Sequence, residues 1–157
     1  MSLDDEFRKR EHCEIEQAAL RLLANREHTR AELRRKLASR ASEEGLLEQV
    51  LDGLEAQNAL SDRRFVETYI ALRRRRGFGP RRVRMELQDK GAAKALIADW
   101  LDESDPLWDE ALAGAARRKF GDQSAMDYPE RARRARFLEY RGFAPERIRA
   151  LLWGVDD

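Results

Sequence analysis

Apolar residues recur along this chain at helical spacing, and charged residues fill the positions between them. Leu33 and Leu37, Val83 and Leu87, and Ile148 and Leu152 are each four residues apart, so each pair makes one stripe on a short helix. Beta-branched residues are scarce, while Ala, Leu, Arg and Glu, all good helix formers, dominate. The pattern predicts helices over Ile15–Asn25, Thr29–Ala38, Glu43–Ala56, Asp62–Arg75, Pro80–Lys90, Ala93–Asp102, Leu107–Phe120, Pro129–Tyr140 and Pro145–Trp153, and no strand. The breaks have local causes. Gly77, Gly79 and Pro80 separate two helices, with Pro80 suited to a first helical position because no backbone donor is needed there. Gly142 and Pro145 repeat that arrangement, Gly91 closes the Pro80 helix, and Asp105-Pro106 marks a further boundary. Thr29 and Ser61 are expected N-caps.

Stacking HTRAELRRKL (His28–Leu37), FGPRRVRMEL (Phe78–Leu87) and FAPERIRALL (Phe143–Leu152) aligns Leu33 with Val83 and Ile148, and Arg34 with Arg84 and Arg149. The offsets, 50 and 65 residues, make this an irregular repeat. A helix of about ten residues is marginal alone, so each must pack on its predecessor. Ile15, Ala19 and Leu22 serve the first unit, Phe65, Tyr69 and Leu72 the second, and Phe137 with Tyr140 the third. Phe78 and Phe143 also read as core, and Trp100, Trp108 and Trp153 as anchors between helices. The expected fold is all-α, an elongated tandem array of three small three-helix repeats. Its expected divisions are an acidic N-terminal tail (1–13), then repeats at 14–58, 61–104 and 106–155, the second with a central basic patch.

Charge is nearly balanced, with 31 Lys and Arg against 30 Asp and Glu, so its distribution has to point to a partner. Acids crowd the N-terminus (Asp4, Asp5, Glu6, Glu11, Glu14, Glu16) and the run DWLDESDPLWDE, Asp99–Glu110. Between them, RRRRGFGPRRVR gathers Arg73, Arg74, Arg75, Arg76, Arg81, Arg82 and Arg84 with no acid. A second basic stretch spans Arg131–Arg149, and Arg26, Arg30, Arg34, Arg35 and Lys36 form a lesser patch.

Recognisable catalytic chemistry is missing. The chain has no GxxxxGK[ST] phosphate loop, no HExxH zinc helix and no nucleophile motif. Gly77-Phe78-Gly79 is a turn, lacking the third glycine and strand of a dinucleotide site. Glu43/Glu44 and Asp102/Glu103 read as surface carboxylates, His28 as an exposed turn residue, and Cys13, the single cysteine, as incidental. No catalytic residue, metal or cofactor is expected. No apolar run approaches the roughly 18 residues of a membrane span, and MSLDDEFRKREH has no signal-type segment, so no membrane partner and a cytoplasmic setting are expected.

The arginine block has an uneven local logic. Arg73 to Arg76 close a helix, where cations suit the dipole, whereas Arg81 and Arg82 open the next helix against it. That mismatch, about 0.3–1 kcal/mol per charge, points to interaction with phosphates or an acidic partner. Base readout by a helix-turn-helix is disfavoured, because the Pro80 helix is short and its charge clusters at its start.

REHTRAELRRKL (Arg26–Leu37), SDRRFVETYI (Ser61–Ile70), RRRRGFGPRRVRMELQDKG (Arg73–Gly91) and ARFLEYRGFAPERIRALL (Ala135–Leu152) together closely resemble the bacterial recombination regulators of the RecX family, over about residues 14–154. The resemblance implies three tandem three-helix units in a small, non-enzymatic protein. It implies binding to filaments of the recombinase RecA on single-stranded DNA, with inhibition of ATP hydrolysis and strand exchange. By that resemblance the partner-binding surface falls on Arg73, Arg74, Arg75, Arg81, Arg82 and Arg84, on Arg26 and Arg30 in the first unit, and on Arg133, Arg134 and Arg141 in the third. Leu33, Leu37, Phe65, Tyr69, Phe78, Val83, Leu87, Phe137, Ile148 and Leu152 are the expected core. A monomer acting by filament-end capping or by groove binding is expected. A general nucleic-acid accessory protein and a helical adaptor for an acidic protein are the alternatives.

Overall fold

The computed structural model describes residues 2–124 and 127–154; the expected outer limits at 1 and 155 lie outside them. Among the described residues nine α-helices and one 3₁₀ turn form, and no strand. None of the helices is long and apolar enough to cross a membrane. The chain divides into two compact units. One runs through Val66 and includes Lys90–Ala92; the other comprises Glu67–Asp89 and the chain from Ala93 on.

The first unit contains α1 (Leu3–Asn25), α2 (Arg30–Leu37), the 3₁₀ turn Ala38–Arg40, α3 (Glu44–Ala56) and the start of α4 (Asp62–Arg75). Ile15, Ala19, Leu33, Leu37, Val50, Leu51, Leu54 and Leu60 form its core, each at most 2% exposed. Thr29 caps α2 reciprocally with Glu32, and its hydroxyl donates to the Lys90 carbonyl at 2.6 Å. Ser61 caps α4 by accepting from the Arg64 amide at 3.2 Å.

Two expectations for this unit are corrected. α1 starts at Leu3, well before Ile15, so the acidic stretch is helix. Ser2 and Asp5 form a capping box, and Asp4, Asp5 and Glu6 occupy the first turn, where negative charge suits the dipole. The buried Glu11 holds this extension down by accepting from the Ser42 amide and hydroxyl. His28 is 2% exposed rather than an exposed turn residue. Its Nδ1 lies 3.0 Å from the Arg26 carbonyl and its Nε2 2.9 Å from the Lys36 ammonium, and burial pushes its pKa down.

The second unit holds the rest of α4 with α5 (Pro80–Asp89), α6 (Lys94–Trp100), α7 (Leu107–Phe120), α8 (Tyr128–Tyr140) and α9 (Pro145–Trp153). Ile70, Val83, Leu87, Ile97, Trp108, Leu112, Leu138, Phe143 and Ile148 are buried. Burying a side chain the size of Phe143 contributes about 1.5–3 kcal/mol. Trp108 also satisfies its indole N–H on the Asp102 carbonyl at 3.0 Å.

The two glycine turns meet here. The Gly79 amide donates to the Arg141 carbonyl at 2.8 Å, and the Arg81 amide to the Gly142 carbonyl at 3.0 Å. A side chain on Gly79 would collide with the Gly142 backbone, and one on Gly142 with Arg82.

The expected core is only partly buried. Phe65, Val83 and Ile148 are inside, but Tyr69, Phe78, Phe137 and Leu152 are half-buried. Tyr140 is 73% exposed and Leu72 is also exposed, so neither is the packing position expected, while Trp153, though exposed, meets the Tyr128 ring at 6.3 Å. A three-to-four-residue spacing marks a face without saying how far a neighbour covers it.

Gly142 has φ +101° and its pro-side-chain direction is blocked by backbone, whereas Gly121, at φ +79°, faces open space. Gly121→Ala is expected to lose about 1–3 kcal/mol, the cost of holding a side chain at φ +79° and ψ −170°, a backbone region essentially reserved for glycine. Gly142→Ala is expected to lose more. Equal losses in urea denaturation would show that the turns are not in close contact.

Candidate basic interface

Arginines of this chain fall into two populations, separated by what their guanidinium groups meet. In the first repeat, Arg30 is ion-paired with Glu48 at 2.6 Å, Asp52 at 2.8 Å and Glu55 at 3.1 Å. Arg26 pairs with Glu32 at 2.8 Å and Arg34 with Glu48 at 2.6 Å. Hydrogen bonds from Arg34 and Arg30 hold the Glu48 carboxyl down to about 2. In the third, Arg133 and Arg134 share Glu130 at 2.7 and 3.0 Å and hold it too at about 2. Arg26, Arg30, Arg133 and Arg134, all expected in a binding surface, are therefore engaged by acids of their own fold.

The central block is itself divided. Arg73 makes two hydrogen bonds to Glu86, at 3.1 and 2.9 Å, and its side chain is only 16% exposed. Glu86 also accepts from Tyr69 at 3.1 Å; burial first, and then Glu86, push that phenol up to about 12. Arg84 is paired with Glu103 at 2.8 Å.

Arg74, Arg75, Arg76, Arg81, Arg82 and Arg141 make no ion pair with a described carboxylate. Arg74, Arg82 and Arg141 rest on aromatic rings, as the acid-paired Arg73, Arg133 and Arg134 also do. Phe78 carries the guanidinium of Arg73 at 3.6 Å, Arg141 at 4.4 Å and Arg82 at 4.7 Å from its ring centre. Arg82 also lies 5.0 Å from the Tyr140 ring and Arg141 5.1 Å from Phe137. Arg74 lies over Trp108 at 5.5 Å. Each contact is worth about 0.5–1 kcal/mol at an exposed site. It holds a cation in place without neutralising it.

Arg141 shows the consequence. Burial, and then the like charges of Arg82, Arg118 and Arg73, depress its pKa below the ordinary guanidinium value. Arg118 was not part of the expected surface. With Arg117 and Lys119 it forms the last turn of α7, a place where cations read as dipole compensation. No sequence signal separates that role from membership in a cluster built by chain-distant helices.

Among the described residues no group of His, Cys, Asp or Glu could hold a metal ion. The fold and site define an all-helical, tandem-repeat protein with a cluster of arginines that meet no described carboxylate. Family models for the first, second and third three-helix domains of RecX match it in order, over residues 17–54, 61–101 and 109–152. Regulatory protein RecX of Pseudomonas fluorescens is 42% identical over 142 residues, 90% of this chain and 92% of that one. The Pseudomonas putida protein of the same name is 43% identical over 142 residues, covering 90% and 91%. The crystal structure of RecX from Lactobacillus salivarius superposes with a TM-score of 0.76 at 21% identity, covering 92% of this chain and 96% of that one. This chain belongs to the RecX family of regulatory proteins.

Because the folded Glu48 carboxyl sits at about 2 against an ordinary 4.5, its contribution to stability is complete above pH 4.5 and is lost as pH falls toward 2. Glu48→Gln is expected to lower the urea midpoint at neutral pH, and that gap to narrow steadily as pH falls below about 4.5. A gap independent of pH would contradict the arginine pairing.

Proposed function

We propose that this protein binds RecA nucleoprotein filaments in the cytoplasm as a monomer and mainly inhibits their ATP hydrolysis, strand exchange and growth. Family membership supports the regulatory role. The observation that carries the reading is the set Arg74, Arg75, Arg76, Arg81, Arg82 and Arg141, which meets no described carboxylate while other arginines of the same chain are neutralised. Cations held unpaired beside one another repel, so they favour a partner that supplies negative charge. A filament offers this as DNA phosphate and as acidic protein surface.

Its division of labour follows from the same geometry. Arg75 and Arg81 are exposed and provide affinity, while Arg30, Arg73 and Arg134, tied to carboxylates, hold the fold that presents them.

The test is RecA ATP hydrolysis on single-stranded DNA, titrated with the wild type and with Arg75→Glu/Arg81→Glu, folding being checked by circular dichroism. The wild type is expected to inhibit below DNA-saturating concentration, and the variant to need about tenfold more protein, a 1.4 kcal/mol change. Tight DNA binding with no inhibition would sink the proposal and favour a general nucleic-acid accessory role.

A further inference from the structure

A cavity of about 260 Å³ in the second unit is lined by Arg76, Arg118, Lys119 and Arg141, with Gly77 and Phe137 among its uncharged walls and no carboxylate. It is smaller than the usual pocket for a drug-sized ligand, which starts at about 300 Å³, and suits a small anion.

Dipole compensation does not account for the charge. The four cations stand near the C-terminal ends of three helices, α4, α7 and α8. Those ends supply roughly −0.5 each, about −1.5 in all, against four formal positive charges. A surplus of about 2.5 remains. Two of the cations are also held by rings, Arg141 at 5.1 Å and Lys119 at 5.3 Å from the centre of Phe137, so their position costs little further ordering when a ligand arrives. The lowered pKa of Arg141 reports the same crowding, because Arg118 is one of the like charges responsible.

We infer that this cavity is a phosphate site for single-stranded nucleic acid, with Arg118 and Lys119 of α7 completing a cradle begun by Arg76 and Arg141. A strand is favoured over a free polyphosphate by what lies beyond the cavity, on the side of Arg141. From Arg141 the contacts continue through Phe78 and Arg82 to Tyr140, an aromatic ring that is 73% exposed. An exposed ring beside a phosphate-binding cation provides a base-stacking platform. The choice of a strand rests on the filament reading above. The site itself is measured without recombinase, so either can fail alone.

The experiment is fluorescence anisotropy of a labelled oligothymidylate with the protein alone, comparing the wild type with Arg118→Gln/Lys119→Gln and Tyr140→Ala. The double variant, with unchanged circular dichroism, is expected to bind about tenfold more weakly. Its log-affinity against log-salt slope is expected to be shallower by roughly 1.4 for two lost phosphate contacts. Tyr140→Ala should weaken binding and leave that slope unchanged. In the unsubstituted protein, pyrophosphate should compete with the strand and shift the amide resonances of Gly77 and Lys119, a readout that requires no variant. If pyrophosphate shifts those resonances while the double variant binds the strand normally, the strand assignment is overturned in favour of a soluble polyphosphate. Unchanged strand binding with no pyrophosphate shift would overturn the site.

Discussion

The close approach of two glycine turns organises the second unit. Gly79 and Gly142 leave no room for a side chain, and two backbone hydrogen bonds, Gly79 to Arg141 and Arg81 to Gly142, join turns more than sixty residues apart. One of these bonds caps the start of α5. The amide of Arg81 in the first turn would otherwise call for an acidic or hydroxyl cap, and the Gly142 carbonyl satisfies it. No acid is needed there. The backbone of another repeat has done the capping, while the charges of Arg81 and Arg82 still oppose the helix dipole.

The same contact explains why the cations gather. Arg82 lies against Gly142 and hydrogen-bonds the Tyr140 carbonyl at 3.4 Å, so α5 brings its arginines to the end of α8, where Arg141 sits. Phe78, in the turn between α4 and α5, is covered by three guanidinium groups from α4, α5 and the end of α8. Rings separate the cations and fix them, but they cannot cancel charge as Glu48, Glu86 and Glu130 do elsewhere. Arginine thus plays two roles in one chain. Arg30 and Arg73, paired with carboxylates of other helices, tie helices together; Arg82 and Arg141, on rings with no described carboxylate, stay available to an outside anion.

Helix patterning was largely legible. Leu33, Leu37, Val83, Leu87 and Ile148 are all buried, and the Gly-Pro breaks fall where helices end. The family resemblance carried by the repeated motifs is confirmed by matches to all three domains. The start of α1 was missed because Asp4 to Glu16 lack an apolar stripe. Its helix is held by a capping box and by one buried carboxylate, Glu11, whose partner Ser42 is distant in sequence. His28 was misplaced for a similar reason, since burial depends on what packs over a residue.

The amino-acid order alone determined the all-helical character, the repeat and the positions of the turns, because spacing, caps and glycine or proline geometry act over a few residues. Tertiary structure alone decided which arginines carry free charge. Arg73 and Arg76 are three residues apart at the end of one helix, yet the first is bound to Glu86 and the second lines a cavity with Arg118 and Arg141. Electrostatic pairing is set by distance in space, and the acids and cations that make this difference come from other helices.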